Sequence, residues 1–132
     1  MALIGVGIDL VEIVRAERML ARREEQALER LLTPGERAYV EARHQPARHF
    51  AARLAAKEAV YKALQSLQGA RAIGWREIEV ISGEEGRPHM TLHGLALELA
   101  NTVGGIQLHV SLTHTDQTAG AVVIAETQPD PA

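Results

Sequence analysis

The chain has 132 residues, 46% of them hydrophobic and 23% charged, which fits one globular domain and excludes wholesale disorder. Fourteen Lys and Arg against 17 Asp and Glu leave a net charge of −3, which argues against a general binder of nucleic-acid backbones. With no cysteine and only 3% aromatic residues, the chain has no disulfides, thiolate nucleophile or cysteine-held zinc, and too few rings for single-strand stacking platforms.

Ala2–Ile8 reads as a short buried strand, apolar on both faces, in which Gly5 and Gly7 permit close backbone approach. Asp9 interrupts that run far short of the roughly 18 residues a membrane helix needs, and no other uncharged stretch approaches that length. A soluble, cytoplasmic protein is therefore expected. From Leu10 the pattern is helical through Arg23 or beyond. Thr33-Pro34-Gly35-Glu36 starts a second helix, with Thr as N-cap, Pro at the first position and Glu three residues after the cap. It ends before Pro46. A third helix, roughly Arg48–Leu67, is dense in alanine and free of internal Gly or Pro. Trp75–Ser82 has strand composition, Gly83–Pro88 is a turn and His89–Leu92 a returning strand. Gly94–Val103 is a short helix stopped by Gly104-Gly105, and Gln107–Leu112 and Ala119–Ala125 are β-rich runs. Strands and helices are segregated rather than alternating, so the fold class is α+β. Residues 1–127 are expected as a single domain and residues 128–132, with two prolines, as a frayed tail.

The glycines before Asp9 do not make a dinucleotide fingerprint, because Leu10 stands where the third glycine belongs and the pair lies inside a strand. Asp9 either caps the following helix, with Glu12 completing a capping-box-like pattern, or offers a functional carboxylate. On the third helix, Ala51, Leu54, Ala55, Glu58, Ala59 and Lys62 share one face. Glu58 and Lys62 read as an exposed i,i+4 pair worth ~0.3–0.5 kcal/mol, or as a carboxylate on an apolar stripe that wants a partner or a cation. Arg53 and Lys57, also i,i+4, repel one another unless an anion lies between them, and default to a solvated face. No carboxylate near His89, His93 or His109 in sequence suggests a closed zinc site. His114, beside Thr113 and Thr115 at a strand end, sits where polar clusters often bind anions. No nucleophile-elbow sequence supports Ser111 and His114 as a hydrolytic pair. Arg15, Arg18 and Arg22 form a basic ridge beside Met19. The ridge reads either as a solvated face balanced by Glu17, Glu24 and Glu25, or as a docking surface for an acidic helix.

Three segments together resemble one family. Gly5-Val6-Gly7-Ile8-Asp9-Leu10-Val11-Glu12-Ile13, Phe50-Ala51-Ala52-Arg53-Leu54-Ala55-Ala56-Lys57-Glu58-Ala59 with Lys62-Ala63-Leu64, and Val110-Ser111-Leu112-Thr113-His114-Thr115 are similar to motifs of the bacterial holo-[acyl-carrier-protein] synthases. These are the small 4′-phosphopantetheinyl transferases. Trp75–Val80 and Gly86-Arg87-Pro88 stand between the motifs as in that family. The resemblance implies an antiparallel sheet packed against helices, and magnesium held by Asp9 and Glu58. It implies Mg-dependent transfer of phosphopantetheine from coenzyme A to a serine of apo-acyl carrier protein, releasing adenosine 3′,5′-bisphosphate, in fatty acid biosynthesis. Glu58 would accept the serine proton, and Lys62 would neutralise the phosphates or protonate the leaving group. Arg53, Lys62, His114 and Thr115 would hold coenzyme A, with Gly86 and Pro88 walling the nucleotide. Arg15, Arg18, Met19 and Arg22 would dock the acidic carrier protein. A homotrimer with shared active sites is implied as well. One departure stands out: the family's Gly-Thr-Gly-like stretch is replaced by Gln65-Ser66-Leu67-Gln68, a helix-compatible run. Two competing functions are a magnesium-dependent hydrolase of a small pyrophosphate compound and a non-catalytic module that binds coenzyme A or a carrier. The first has no use for a basic helix, and the second predicts no magnesium dependence.

Overall fold

A computed structural model describes residues 2–83 and 86–129. In chain order they form β1 (Leu3–Glu12), α1 (Ile13–Ala21), α2 (Glu25–Leu31), α3 (Pro34–Glu41) and α4 (Pro46–Ala63). Two single-turn 3₁₀ helices follow, then β2 (Ile78–Ser82), β3 (Pro88–Leu92), α5 (Gly94–Asn101), β4 (Ile106–His114) and β5 (Thr118–Thr127). The expected α+β class holds, but the antiparallel strands divide between a three-stranded sheet, ordered β1-β5-β4, and a β2-β3 hairpin. No helix among the described residues is long and apolar enough to cross a membrane.

Helix α4 lies on the inner face of the larger sheet. Ala51, Ala55, Ala59 and Ala63, spaced four apart, are at most 1% exposed and give it a smooth buried stripe. Strand β1 rests directly on that stripe: a Cβ built on Gly5 or Gly7 would overlap the carbonyl oxygens of Ala63 and Ala59. Phe50, Val60, Leu64 and Val123 fill the core around the contact.

A buried ion pair ties three further elements together. Lys57 Nζ donates to Glu36 Oε1 at 2.5 Å, with both side chains fully buried. The same oxygen accepts the Thr33 N–H at 2.9 Å, and Glu36 Oε2 accepts the Val80 N–H at 2.8 Å. Burial pushes the Lys57 pKa down, and the Glu36 charge opposes that shift. The capping box of Thr33 and Glu36, expected from sequence, is thus also the anchor of α3 on α4 and β2.

Several expectations need correction. Strand β1 runs on through Asp9 to Glu12, because each of its residues from Gly5 onward pairs with β5, Asp9 opposite Ala121 and Glu12 opposite Thr118. Asp9 therefore caps no helix; Glu12 occupies the cap of α1 without a side-chain bond. The strand is not buried on both faces, since Val6, Ile8 and Leu10 are 56–69% exposed. The long first helix is broken at Arg23, which adopts φ 49°, and α2 follows as a separate element. Trp75–Glu77 is a 3₁₀ turn, fixed by the Glu77 carboxylate on the Gly74 N–H, rather than the start of a strand. Gln65–Gln68 lies outside the helix: α4 stops at Ala63, and the chain turns through Gly69 at φ 90°. Arg53 and Lys57 are 3% and 0% exposed, so the solvated face expected for them is wrong. Gln128 is tied to Gly105 and Ile106 by hydrogen bonds, and the rest of the expected tail from Asp130 lies outside the described residues.

Candidate active site

Side chains alternate along β1, so Asp9 points to the same side as Gly7 and Val11, toward α4. There Lys62 Nζ stands 3.2 Å from Asp9 Oδ1 and donates to the Ile8 carbonyl at 3.1 Å. Glu58 lies one turn earlier on α4, half-buried. Among the described residues its carboxylate has no hydrogen-bond or ion-pair partner. It lines a cleft of about 330 Å³ with Lys57, Tyr61, Ile73, Trp75 and Ile78. No three His, Asp or Glu side chains converge as a metal cage among the described residues. A carboxylate in contact with an ammonium, and a second carboxylate one turn away on the same helix, are ligand types that suit a hard cation, which keeps waters and takes further oxygens from a phosphate ligand.

A second pocket, of about 280 Å³, gathers Arg53, Gly86, Pro88 and His114, four residues expected around a nucleotide. Tyr39, Arg48, His49 and Ser82 complete it, and none of the residues described there is acidic. The Arg53 guanidinium lies 4.0 Å from the Tyr39 ring centre and donates to Ser82 Oγ at 2.9 Å. Its Nε is buried and has no hydrogen-bond partner among the described residues. Arg43 sits 4.2 Å from the same ring. Burial, then the charges of Arg53, Arg43, Arg48 and His114, hold the His49 pKa below its ordinary value. Cations crowded together with no carboxylate among the described residues favour an anion. Thr115 does not line this pocket; its hydroxyl accepts the N–H groups of Gln117 and Thr118 and shapes the β4–β5 turn. Sequence reading missed Tyr39, Arg48 and His49. The available signal was Arg48-His49 one turn before Arg53 on the same helix.

The two sites share no lining residue. Arg53 and Glu58 are five positions apart, which places them about 140° around α4 from one another. On α1, Arg15 and Arg18 are exposed, and Arg22 caps the helix end, also exposed. Met19, expected beside the ridge as an adaptable contact, packs in part against the core.

Residues 5–123 match the 4′-phosphopantetheinyl transferase superfamily. The chain belongs to that superfamily. It is 42% identical over 127 residues to the holo-[acyl-carrier-protein] synthase of Anaeromyxobacter sp. (strain K), a match covering 94% of this chain and 96% of the relative. The acyl carrier protein synthase of Mycobacterium tuberculosis shares its fold with a TM-score of 0.71 at 39% identity, over 96% of this chain and 99% of that one. The holo-[acyl-carrier-protein] synthase of Helicobacter pylori, solved in complex with coenzyme A, superposes with a TM-score of 0.75 at 31% identity, over 92% and 99% of the two chains. This phosphopantetheinyl transferase is therefore an enzyme, as its motifs implied.

The cation cluster makes a testable claim about His49. With its pKa depressed in the folded state, His49 stays neutral where the unfolded side chain would bind a proton. Its stabilising contribution is thus present above about pH 6.5 and is lost as pH falls through the folded-state value. Arg48→Gln removes one of the repelling charges and should raise the His49 midpoint in an NMR titration. An unchanged midpoint contradicts the cluster.

Proposed function

We propose that this chain transfers the 4′-phosphopantetheine of coenzyme A to a serine hydroxyl of an apo-acyl carrier protein and releases adenosine 3′,5′-bisphosphate, in a cytoplasmic setting. The observation that carries the reading is the contact of Asp9 with Lys62, one helical turn from Glu58, whose carboxylate has no partner among the described residues, in the fold of this superfamily. Asp9 and Glu58 suit a magnesium ion, which when bound would offset negative charge on the pyrophosphate. Glu58 accepts the proton of the carrier serine as its oxygen attacks the phosphorus bearing the pantetheine. The bond from that phosphorus to the bridging oxygen breaks, and its electron pair leaves on the bisphosphate. Lys62 steadies the phosphate oxygens and can return a proton to the leaving group. Arg53 and His114 hold the nucleotide phosphates, and Gly86 and Pro88 wall the nucleotide.

A homotrimer with shared sites is part of the same reading, and two observations support it. The carboxylates and the cationic pocket of one chain face different sides of α4, so a single coenzyme A is better spanned by two protomers. The outer sheet face also carries an apolar patch of Val6, Ile8, Leu10, Val122 and Ile124, with Val6 opposite Ile124 and Ile8 opposite Val122. A contiguous patch of this kind is a surface for other copies of the chain. Ile8 and Leu10 flank Asp9, so that interface would border the carboxylate site.

The direct test incubates the protein with coenzyme A, magnesium and apo-carrier, and reads the carrier's gain of one phosphopantetheine by mass. An unchanged carrier mass overturns the reading, and loss of coenzyme A without any carrier favours a hydrolase. Glu58→Gln should slow transfer by about a hundredfold or more. His114→Ala should also impair it, and co-expressing the two variants should restore a fraction of the rate. No restoration would count against sites shared between protomers.

The ridge on α1 gives a separate expectation. Reversing Arg15, Arg18 and Arg22 to Glu together should raise KM for the carrier about tenfold and leave coenzyme A binding near wild type. Added salt should weaken wild-type carrier binding far more than that of the reversed protein, because exposed charges are screened over ~8 Å at physiological ionic strength. Equal salt sensitivity places the docking surface elsewhere.

A further inference from the structure

We propose that Tyr39 is a positioning residue for the reaction: its ring holds the buried Arg53 guanidinium ready for an anionic ligand without neutralising it. The role deepens the transfer reading above and rests on it. Helix α3 meets α4 through two successive rungs. Glu36 and Tyr39 are three apart on α3, and Arg53 and Lys57 four apart on α4, so each pair shares a helix face. One rung joins Glu36 to Lys57, both side chains fully buried. The other sets the Arg53 guanidinium carbon 4.0 Å from the Tyr39 ring centre. The two rungs treat their cations differently. A carboxylate cancels the charge of Lys57, whereas an aromatic ring attracts a cation through its quadrupole and leaves the charge in place. Arg53 also donates to the Ser82 hydroxyl at 2.9 Å, a second neutral partner. Neither partner carries negative charge, so the guanidinium keeps its attraction for an anion entering the pocket it lines with Arg48 and His114.

The ring is itself fixed from several directions. The Arg43 guanidinium carbon lies 4.2 Å from the same ring centre, and its Nε donates to the Tyr39 carbonyl at 3.2 Å. His49, one turn before Arg53 on α4, meets the ring edge-on, with centroids 5.8 Å apart and planes at 75°. A held ring holds the guanidinium stacked on it. Arginine has a long, rotamer-rich side chain, and one ordered before binding costs less to order when the ligand arrives.

The test separates the ring from the hydroxyl and from the fold. Tyr39→Phe keeps the ring and Tyr39→Leu removes it. In calorimetric titrations with adenosine 3′,5′-bisphosphate, the Phe variant should bind within about threefold of wild type and the Leu variant about tenfold more weakly. KM for coenzyme A should follow the same order, with kcat at saturating coenzyme A within about twofold, because Asp9, Glu58 and Lys62 are untouched. A double-mutant cycle decides whether Tyr39 acts through Arg53. Arg53→Gln alone should weaken bisphosphate binding, and adding Tyr39→Leu should weaken it no further. If melting shows Arg53→Gln unfolded, Arg53→Lys takes its place in the cycle, since an ammonium lacks the planar group that stacks on the ring. The proposal is overturned if the Leu variant binds like wild type, if the Phe variant is as impaired as the Leu variant, or if the two losses add. It is also overturned if the wild-type protein does not bind the bisphosphate. Wild-type protein that binds the bisphosphate yet transfers nothing overturns the functional reading alone.

Discussion

The contact of β1 with α4 sets the position of everything else in the candidate site. Gly5 and Gly7 bring the strand's backbone against the carbonyl groups of Ala63 and Ala59, closer than any side chain would allow. Asp9 follows Gly7 by two residues and so faces the same way. Lys62 follows Ala59 by three and reaches the Asp9 carboxylate. An acid and a base from elements 53 positions apart in sequence are placed by the absence of two Cβ atoms. The same alternation leaves Val6, Ile8 and Leu10 on the outer face, where they form the apolar patch. One strand thus presents a polar chemistry inward and an association surface outward.

The azimuth of α4 has a second determinant in the Glu36–Lys57 pair. A smooth alanine stripe fixes how near the helix lies but resists rotation weakly. A fully buried ammonium bonded to a fully buried carboxylate resists it strongly, because moving either group leaves a charge without a partner. Glu58 is the next residue after Lys57, so this pairing also holds the unpartnered carboxylate at the rim of its cleft. Desolvating two charges is costly, and the additional bonds from Thr33 and Val80 offset part of that cost. Fixing the helix face is a structural return that an apolar replacement pair would not guarantee.

What could be read from the sequence follows from how local each feature is. The Thr33–Glu36 capping box and the alanine-rich helix depend on neighbours within a turn or two, and both are present as expected. Asp9 was misplaced at a helix start because the pairing that keeps it in a strand comes from β5, more than a hundred residues later. Lys57 looked solvated because its partner Glu36 lies 21 positions away, and Arg53 because Tyr39 and Ser82 are equally invisible to helical spacing. Asp9, Glu58 and Lys62 became a single constellation through family motifs, since spacing alone left a bland alternative open for each. Trp75 and the cleft behind Glu58 arise from a 3₁₀ turn whose residues resemble a strand in composition. No periodicity marks such a cavity.

The most direct test of the strand-on-helix constraint is transfer activity measured together with thermal stability in Gly7→Ala. The added methyl group has no space against the Ala59 carbonyl, so β1 must lift from α4 and carry Asp9 away from Lys62. Overpacking of this kind costs about 1–3 kcal/mol, and the protein should melt earlier and lose most of its transfer rate. A Gly7→Ala protein with wild-type melting and wild-type transfer would contradict the claim that this contact positions the site.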